Sequence, residues 1–291
     1  MKRKIFSGIL FAASGSFWWG ILGVFYFKSI AFVSPLELVV HRTIWSALTL
    51  SITLTFYAKW EEVLNLLKKK NILFGLLISS VLILTNWYTW IYAVTTNKLV
   101  DASFGYYIYP ILSAFFGIIF LKETYNKTKL TSFILVFISI IILFFNFDNV
   151  PWIGLIVAAS WSLYTLVRKI IIVPADIGLF IESLLLTPLA LFVFYNLYQN
   201  GDNFFTLYDV KISTWLFFAG LMTLIPLFLF LKGTEKAGLG VAGMIFFIVP
   251  TCHFLLGIFY FNEPLDLYKL LSFSIIWIAV AIFLRDLASD N

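Results

Sequence analysis

The charged and amide side chains of this chain are few, and those with chemical potential sit inside apolar runs. His41 and Arg42 open the string HRTIW at 41–45, in a segment otherwise rich in Leu, Val, Ile and Thr. An arginine at the depth of a bilayer-spanning helix costs ~2.5–3.5 kcal/mol on insertion scales, so by default it marks a functional position. The plainer reading is that Arg42 snorkels, since it lies ~10 Å past Pro35 at 1.5 Å per residue. Glu37 precedes His41 by one helical turn and shares its face. Glu182, in GLFIESLL, aligns with His41 when the two halves of the chain are superposed at an offset of 141 (182 − 41 = 141). A direct pair between Arg42 and Glu182, one gate for each, and a substrate bridging them all remain open.

A second set is amide and aromatic. Asn86, Trp87 and Trp90 combine hydrogen-bonding capacity with flat apolar walls, the usual mixture in a ligand pocket. Ser103, Tyr106 and Tyr109 recur at helical spacing just before Pro110, and Pro250 repeats that proline in the second half. Paired helix kinks at Pro110 and Pro250 around a central cavity are expected, because proline frees a backbone carbonyl that a cavity or a neighbour must satisfy. Trp19 and Tyr164 stand beside small residues in corresponding places of the two halves. Each of these has a structural alternative, as an interhelical amide bond or as a membrane-interface anchor. Glu123 and Glu263 are read as caps for loop amides or as holders of positive ends.

Catalytic chemistry is not expected. Two histidines and the single Cys252 make no nucleophile–base or metal constellation, and neither G-x-S-x-G nor H-E-x-x-H occurs. Gly238, Gly240 and Gly243 fit G-x-G-x-x-G, but no strand precedes them, so close helix packing is the reading. His253 is read as a bonded core residue, and Arg168 with Lys169 as topogenic charges. No cofactor and no metal are expected.

The elements that carry these residues follow from composition. The chain is 62% hydrophobic and 12% charged, with mean hydropathy +0.98, well beyond the balance of a water-soluble domain. Apolar runs of spanning length give ten helices at approximately 5–27, 36–57, 72–95, 100–121, 128–147, 151–170, 177–198, 212–231, 238–261 and 267–285. Asp101 and Asp266 are candidate N-caps. The basic residues lie in short loops and form no stripe, so nucleic acid is not expected as a partner. Lys2–Lys4, Lys68–Lys70, Lys122–Lys129, Arg168–Lys169, Lys232–Lys236 and Arg285 fall on one side, against Lys28, Lys98, Lys211 and Lys269 on the other. The positive-inside rule then places both termini in the cytoplasm.

The chain also repeats itself. LVDASFGYYIYPILSAFFGIIFLKE at 99–123 returns as LGVAGMIFFIVPTCHFLLGIFYFNE at 239–263, with Pro110 on Pro250 and Glu123 on Glu263 (250 − 110 = 140). Five spans per half is odd, so the second copy enters from the opposite face. The expected fold is all-α: ten transmembrane helices in two inverted five-helix repeats, 1–147 and 148–291. Such repeats are a recurring plan for secondary transporters, with the substrate near mid-membrane.

HRTIWS, NWYTWIYAV, DASFGYYIYP, GIIFLKE, LVRK and IIWIAVAIFLRD, in that order, resemble RarD-type proteins of the EamA family in the drug/metabolite transporter superfamily. The resemblance spans nearly the whole chain. It implies a bacterial inner membrane and a central cavity touched by His41, Arg42, Trp45, Asn86, Trp87, Asp101, Ser103, Tyr106 and Glu182. Asp101 stands where glutamate is the family expectation, and Tyr109 where asparagine is. The full expected substrate set is Trp19, His41, Arg42, Asn86, Trp87, Trp90, Ser103, Tyr106, Tyr109, Tyr164 and Glu182. The expected function is alternating-access transport of a small metabolite, foremost an amino acid or related zwitterion, held by Arg42 at its carboxylate and Glu182 at its amine. Export of amphipathic drugs such as antibiotics is the alternative, and a membrane enzyme or scaffold stands behind both. The expected partners are a small-molecule substrate and the lipid bilayer, with a homodimer left open.

Overall fold

The computed structural model describes residues 2–96, 99–145, 150–260 and 267–289. Among these the chain is helical, with no strand. The first span is α1 (Lys2–Phe17), a π-helical segment (Trp18–Gly23) and α2 (Val24–Ser29). Next come α3 (Pro35–Phe56), the short α4 (Trp60–Leu67), α5 (Lys70–Thr95), α6 (Leu99–Leu121) and α7 (Lys127–Phe144). The second half holds α8 (Trp152–Ile171), α9 (Ala175–Asn200), α10 (Val210–Ala237), α11 (Leu239–Ile245), α12 (Ile248–Phe259) and α13 (Leu267–Ser289).

The helix starts obey local chemistry. Ser34 caps α3 by accepting from the Glu37 N–H at 3.2 Å, with Pro35 at the first helical position. Asn126 caps α7 and Asp209 caps α10 in the same way. Gly201, with φ +72°, ends α9 in the left-handed conformation that lacks a Cβ penalty.

Nine segments are both long and apolar enough to cross a membrane among the described residues. The tenth crossing is α3, whose 22 residues span ~33 Å and whose hydropathy is diluted by Glu37, His41 and Arg42. The phenylalanines and isoleucines at 6, 52, 74, 134 and 137 are exposed on the outer faces, the inverse of a soluble surface and the pattern lipid requires. The connections sort into two ends. Lys59–Asp176, Lys129–Asp286 and Glu123–Leu239 contacts lie at the end holding the amino terminus. Glu37–Phe204 and Tyr26–Trp215 bonds lie at the far end.

Two features depart from the sequence reading. α4 is a short amphipathic helix between spans, with only Val63 fully buried. The two prolines also behave differently. α6 runs through Pro110 without interruption, whereas the second copy breaks at Phe246–Phe247 into α11 and α12. Pro250 lies four residues past Phe246 and has no N–H to offer it, so the Phe246 carbonyl accepts from the Val249 N–H at 2.9 Å in a tighter turn. The two prolines therefore sit in different surroundings, one inside a continuous helix and one just past a break.

The halves interlock instead of lying side by side. α1 packs on α10, α3 on α9 and α10, α5 and α6 on α8, α7 on α13, and α6 on α11. Each of these contacts joins one half to the other. The apolar core divides differently: the larger cluster draws on the first span, α3, α4, α5, α8, α9 and α10, together with Tyr109 of α6 and Ala242, Ile245, Phe246 and Val249 of the broken span. A separate one, with Phe104, Val136, Met244 and Phe283, joins α6, α7, α11 and α13. Both clusters draw on both halves, and α6 and the broken span contribute to each.

Of the two glutamates that end the long copies, Glu123 lies among the described residues. Glu123 accepts the backbone N–H groups of Leu239 (2.8 Å) and Gly240 (3.1 Å), and the hydroxyl of Tyr125 donates to it as well. Burial, reinforced by the Glu123 carboxylate, pushes the Tyr125 phenol well above its ordinary range. Glu263, Asp266 and the repeat boundary at 147/148 lie outside the described residues, as do the side chains of Asp101 and Ser103.

Candidate functional site

A cavity opens where helices of the two halves meet. It is lined by Trp19, Gly23 and Phe27 from the first span, Arg42 from α3, and Asn86, Trp87 and Trp90 from α5. Tyr106 comes from α6 and Trp161 from α8, while Phe246, Val249 and His253 close it from the broken α11–α12 span. Its volume, ≈ 40 Å³, suits a few waters at ~10–15 Å³ each. The site is therefore drawn nearly shut.

The π-helical segment explains how Trp19 arrives there. An extra residue per turn rotates the following side chains and frees carbonyls, and such segments concentrate at functional sites. Gly20 lets the segment approach its neighbour, since a Cβ there would stand 2.8 Å from the Cys252 Cβ. Trp19 then packs edge-on against Trp161 with ring centroids 5.5 Å apart.

Arg42 dominates the electrostatics. Its guanidinium lies 4.7 Å from the Trp87 ring centroid and 5.1 Å from that of Phe27, a cation–π sandwich. It is 5% exposed, and its Nε and Nη1 have no hydrogen-bond partner. No ion pair among the described residues engages it. The indole N–H groups of Trp90 and Trp161 are also buried without acceptors. His253 approaches the Trp19 backbone carbonyl without full hydrogen-bond geometry at either ring nitrogen. Asn86 is already engaged, donating to the Val157 carbonyl and the Ser160 hydroxyl at 3.2 Å each. The lining is rich in donors and short of acceptors.

Six of the expected residues, Trp19, Arg42, Asn86, Trp87, Trp90 and Tyr106, meet at this cavity. Four do not line it. His41 points away, with its Nδ1 accepting from Trp45 Nε1 at 3.0 Å and its ring against Phe205. Tyr109 is fully buried in an aromatic cluster with Trp161, Phe230 and Phe246. Glu182 and Tyr164 belong to a separate cluster nearer the amino-terminal end. There Glu182 accepts from Arg168 Nη1 at 3.1 Å, from the Tyr164 hydroxyl at 3.1 Å and from the Ser79 hydroxyl. Gly178 makes the space, because a Cβ at that position would stand 1.8 Å from Arg168 Nη1.

The reading of Glu182 as the amine-binding partner of Arg42 is thus corrected: its oxygens are engaged by this chain's own groups. Arg168 is correspondingly a buried ion-pair member and not a loop charge. Lys169 next to it donates to the Thr234 carbonyl at 2.7 Å at the end of α10, where a cation favours the helix terminus. Phe27, Trp161, Phe246, Val249 and His253 were missed. Only the lone histidine gave a signal, and that was read as core. No cluster of three or more His, Cys, Asp or Glu among the described residues could hold a metal ion.

Ten crossings and interlocked repeats with a narrow cavity at their interface follow the plan of multi-pass membrane carriers. The chain belongs to the EamA-like transporter family, which matches it twice, over residues 6–145 and 150–285. An uncharacterized transporter of Bacillus subtilis, YojE, is 34% identical over 283 residues, covering 95% of this chain and 93% of its own. Protein RarD of Salmonella typhi is 33% identical over 279 residues, covering 96% and 95%. A solved crystal structure shares the fold with a TM-score of 0.66 at 13% identity, covering 95% of this chain and 97% of its own.

Proposed function

We propose that the protein is a bacterial inner-membrane secondary transporter whose cargo is a small organic carboxylate with an apolar or aromatic body, an amino acid included. The observation that carries this is Arg42: a buried guanidinium with unused donors, between two aromatic faces, in a cavity that offers no carboxylate. A buried charge left unpaired is expensive, and an incoming carboxylate would relieve it with charge-assisted bonds. Trp90 and Trp161 would supply further donors. With Glu182 engaged elsewhere, an ammonium on the cargo would rest on indole faces, so zwitterions fit without a second charged residue.

Both termini face the cytoplasm in this reading, following the lysine and arginine bias, and the repeats divide near residue 147. Alternating access would shift α6 and the broken α11–α12 span against α3, carrying Tyr106, Phe246 and His253 relative to Arg42.

The test is thermal unfolding of the purified protein with matched ligands: phenylalanine, its deaminated carboxylate and its decarboxylated amine. A ligand at a hundredfold its Kd adds ~2.7 kcal/mol to stability. Both carboxylates should raise the midpoint, the amine should not, and Arg42→Gln should abolish the effect. The aromatic lining also favours a second reading, export of amphipathic drugs. That reading gains if a neutral antibiotic raises the midpoint equally in Arg42→Gln.

A further inference from the structure

We propose that Glu37 and His41 form a proton-binding site, and that taking up the proton unlatches the connection between α9 and α10 at the far end of the bundle. The two residues stand one turn apart at the start of α3. Glu37 is fully buried and His41 is 2% exposed. Glu37 Oε1 accepts the backbone N–H groups of Phe204 at 2.7 Å and Phe205 at 2.9 Å, so a side chain of the first half holds a loop of the second. Glu37 Oε2 and His41 Nε2 have no hydrogen-bond partner, and Nε2 lies 3.7 Å from Glu37 Oε1.

Hydrogen-bond bookkeeping fixes the protonation states. An indole N–H can only donate, so the 3.0 Å bond from Trp45 Nε1 requires a bare Nδ1 on His41. The neutral imidazole then carries its proton on Nε2, on the side of Glu37. A further proton has two places to go. At Glu37 Oε2 it neutralises the carboxylate and weakens its bonds to Phe204 and Phe205. At His41 Nδ1 it breaks the bond from Trp45 and makes an imidazolium whose Nε2–H competes with the two loop amides for Glu37 Oε1.

The surroundings leave the decision to this pair. Phe194 from α9 and Phe205 from the connection pack on the His41 ring, and Phe217 from α10 packs on Trp45. None of these three titrates. Arg42, the charged neighbour on the same helix, is turned to Phe27 and Trp87. Leu36 and Phe204 on either side of the pair are exposed, so a proton has a short path from the far face. The latch at the other end, Glu123 on Leu239 and Gly240, has a phenol beside it in place of an imidazole.

The assignment rests on Glu37 and His41 and needs no transported substrate, so it can fail while the carboxylate reading stands. The experiment is amide hydrogen exchange, read by mass spectrometry, on the purified full-length protein in detergent between about pH 8 and about pH 5. After correction for intrinsic exchange, the segment 201–209 should exchange at least about tenfold faster at the acid end, as expected for losing charge-assisted bonds. Segments in α7 and α13 should not change. Glu37→Gln should exchange fast at every pH, with the pH dependence gone, and Trp45→Phe, by freeing Nδ1, should move the midpoint to higher pH. Protection of 201–209 that does not vary with pH in the unmodified protein overturns the proposal. So does a Glu37→Gln protein that keeps the original pH profile.

Discussion

Arg42 and Arg168 are buried to the same degree, 5% exposed each, yet they are opposite kinds of residue. Arg168 has Glu182 at 3.1 Å, and Ser79 and Tyr164 complete the carboxylate's hydrogen bonds. Arg42 has two aromatic faces and no carboxylate. Burial of charge identifies both, and only the presence or absence of a partner carboxylate separates them. A chain that closes its own ion pair has nothing left to offer a substrate there.

The difference is open to measurement. Its largest expected consequence is at Glu182: replacement by Ala leaves Arg168 buried and alone and should destabilise the protein by about 3–5 kcal/mol in equilibrium unfolding. The double replacement Arg168→Met with Glu182→Leu should recover most of that loss, and a double variant as unstable as the single one would break the comparison. Arg42→Met should move stability the other way, raising it by about 1–2 kcal/mol in the absence of ligand, because an unpaired buried charge is removed. A clear loss of stability in Arg42→Met would mean that the guanidinium has a structural partner after all.

The smallest effect belongs to the half-exposed pair of Lys59 and Asp176. The hydrogen bond to Asp176 holds the Lys59 ammonium above its ordinary range. Its contribution is therefore present at neutral pH and is lost as pH rises past about 10.4, through the raised value. Lys59→Ala should cost no more than about 1 kcal/mol, and less in high salt. Thermal midpoints at low and high salt would check this.

Much of the fold was legible because a bilayer leaves few solutions: twenty apolar residues read as a span, and a repeat of odd span count reads as inverted. The cavity was partly legible for the same reason, since Arg42, Asn86 and Trp87 are costly or conspicuous in an apolar run. Phe27, Trp161 and Phe246 were not, because a phenylalanine facing a cavity and one facing the core look alike in a sequence of this composition. Glu182 holds a sharper lesson. It aligns with His41, and equivalent positions in related repeats present equivalent helix faces. His41 faces away from the cavity, and Glu182 does too. The residue equivalent to Arg42 in that register is Ser183 (42 + 141 = 183), so the second half has no charged counterpart to it. The π-helical segment has no such signal in the residues around it, and Pro250 alone does not foretell the break at Phe246–Phe247, because α6 runs through Pro110 unbroken.

The interlocking of the halves bears on how the chain reaches this structure. α1 lies against α10 and α5 against α8, so contacts between residues far apart in sequence hold the molecule together. The surfaces that α1, α3 and α5 will bury have no permanent neighbours until the later spans have left the ribosome. The first half, made alone, would lack the loop amides that bind Glu37 here, while Ser79 would keep its bond to the Leu76 carbonyl and lose the Glu182 carboxylate. The first half must therefore wait for the second to gain these contacts. Assembly of this kind is slow and exposed to misrouting, so a nonsense codon or a stall after the fifth span should yield a fragment destined for proteolysis instead of half a carrier.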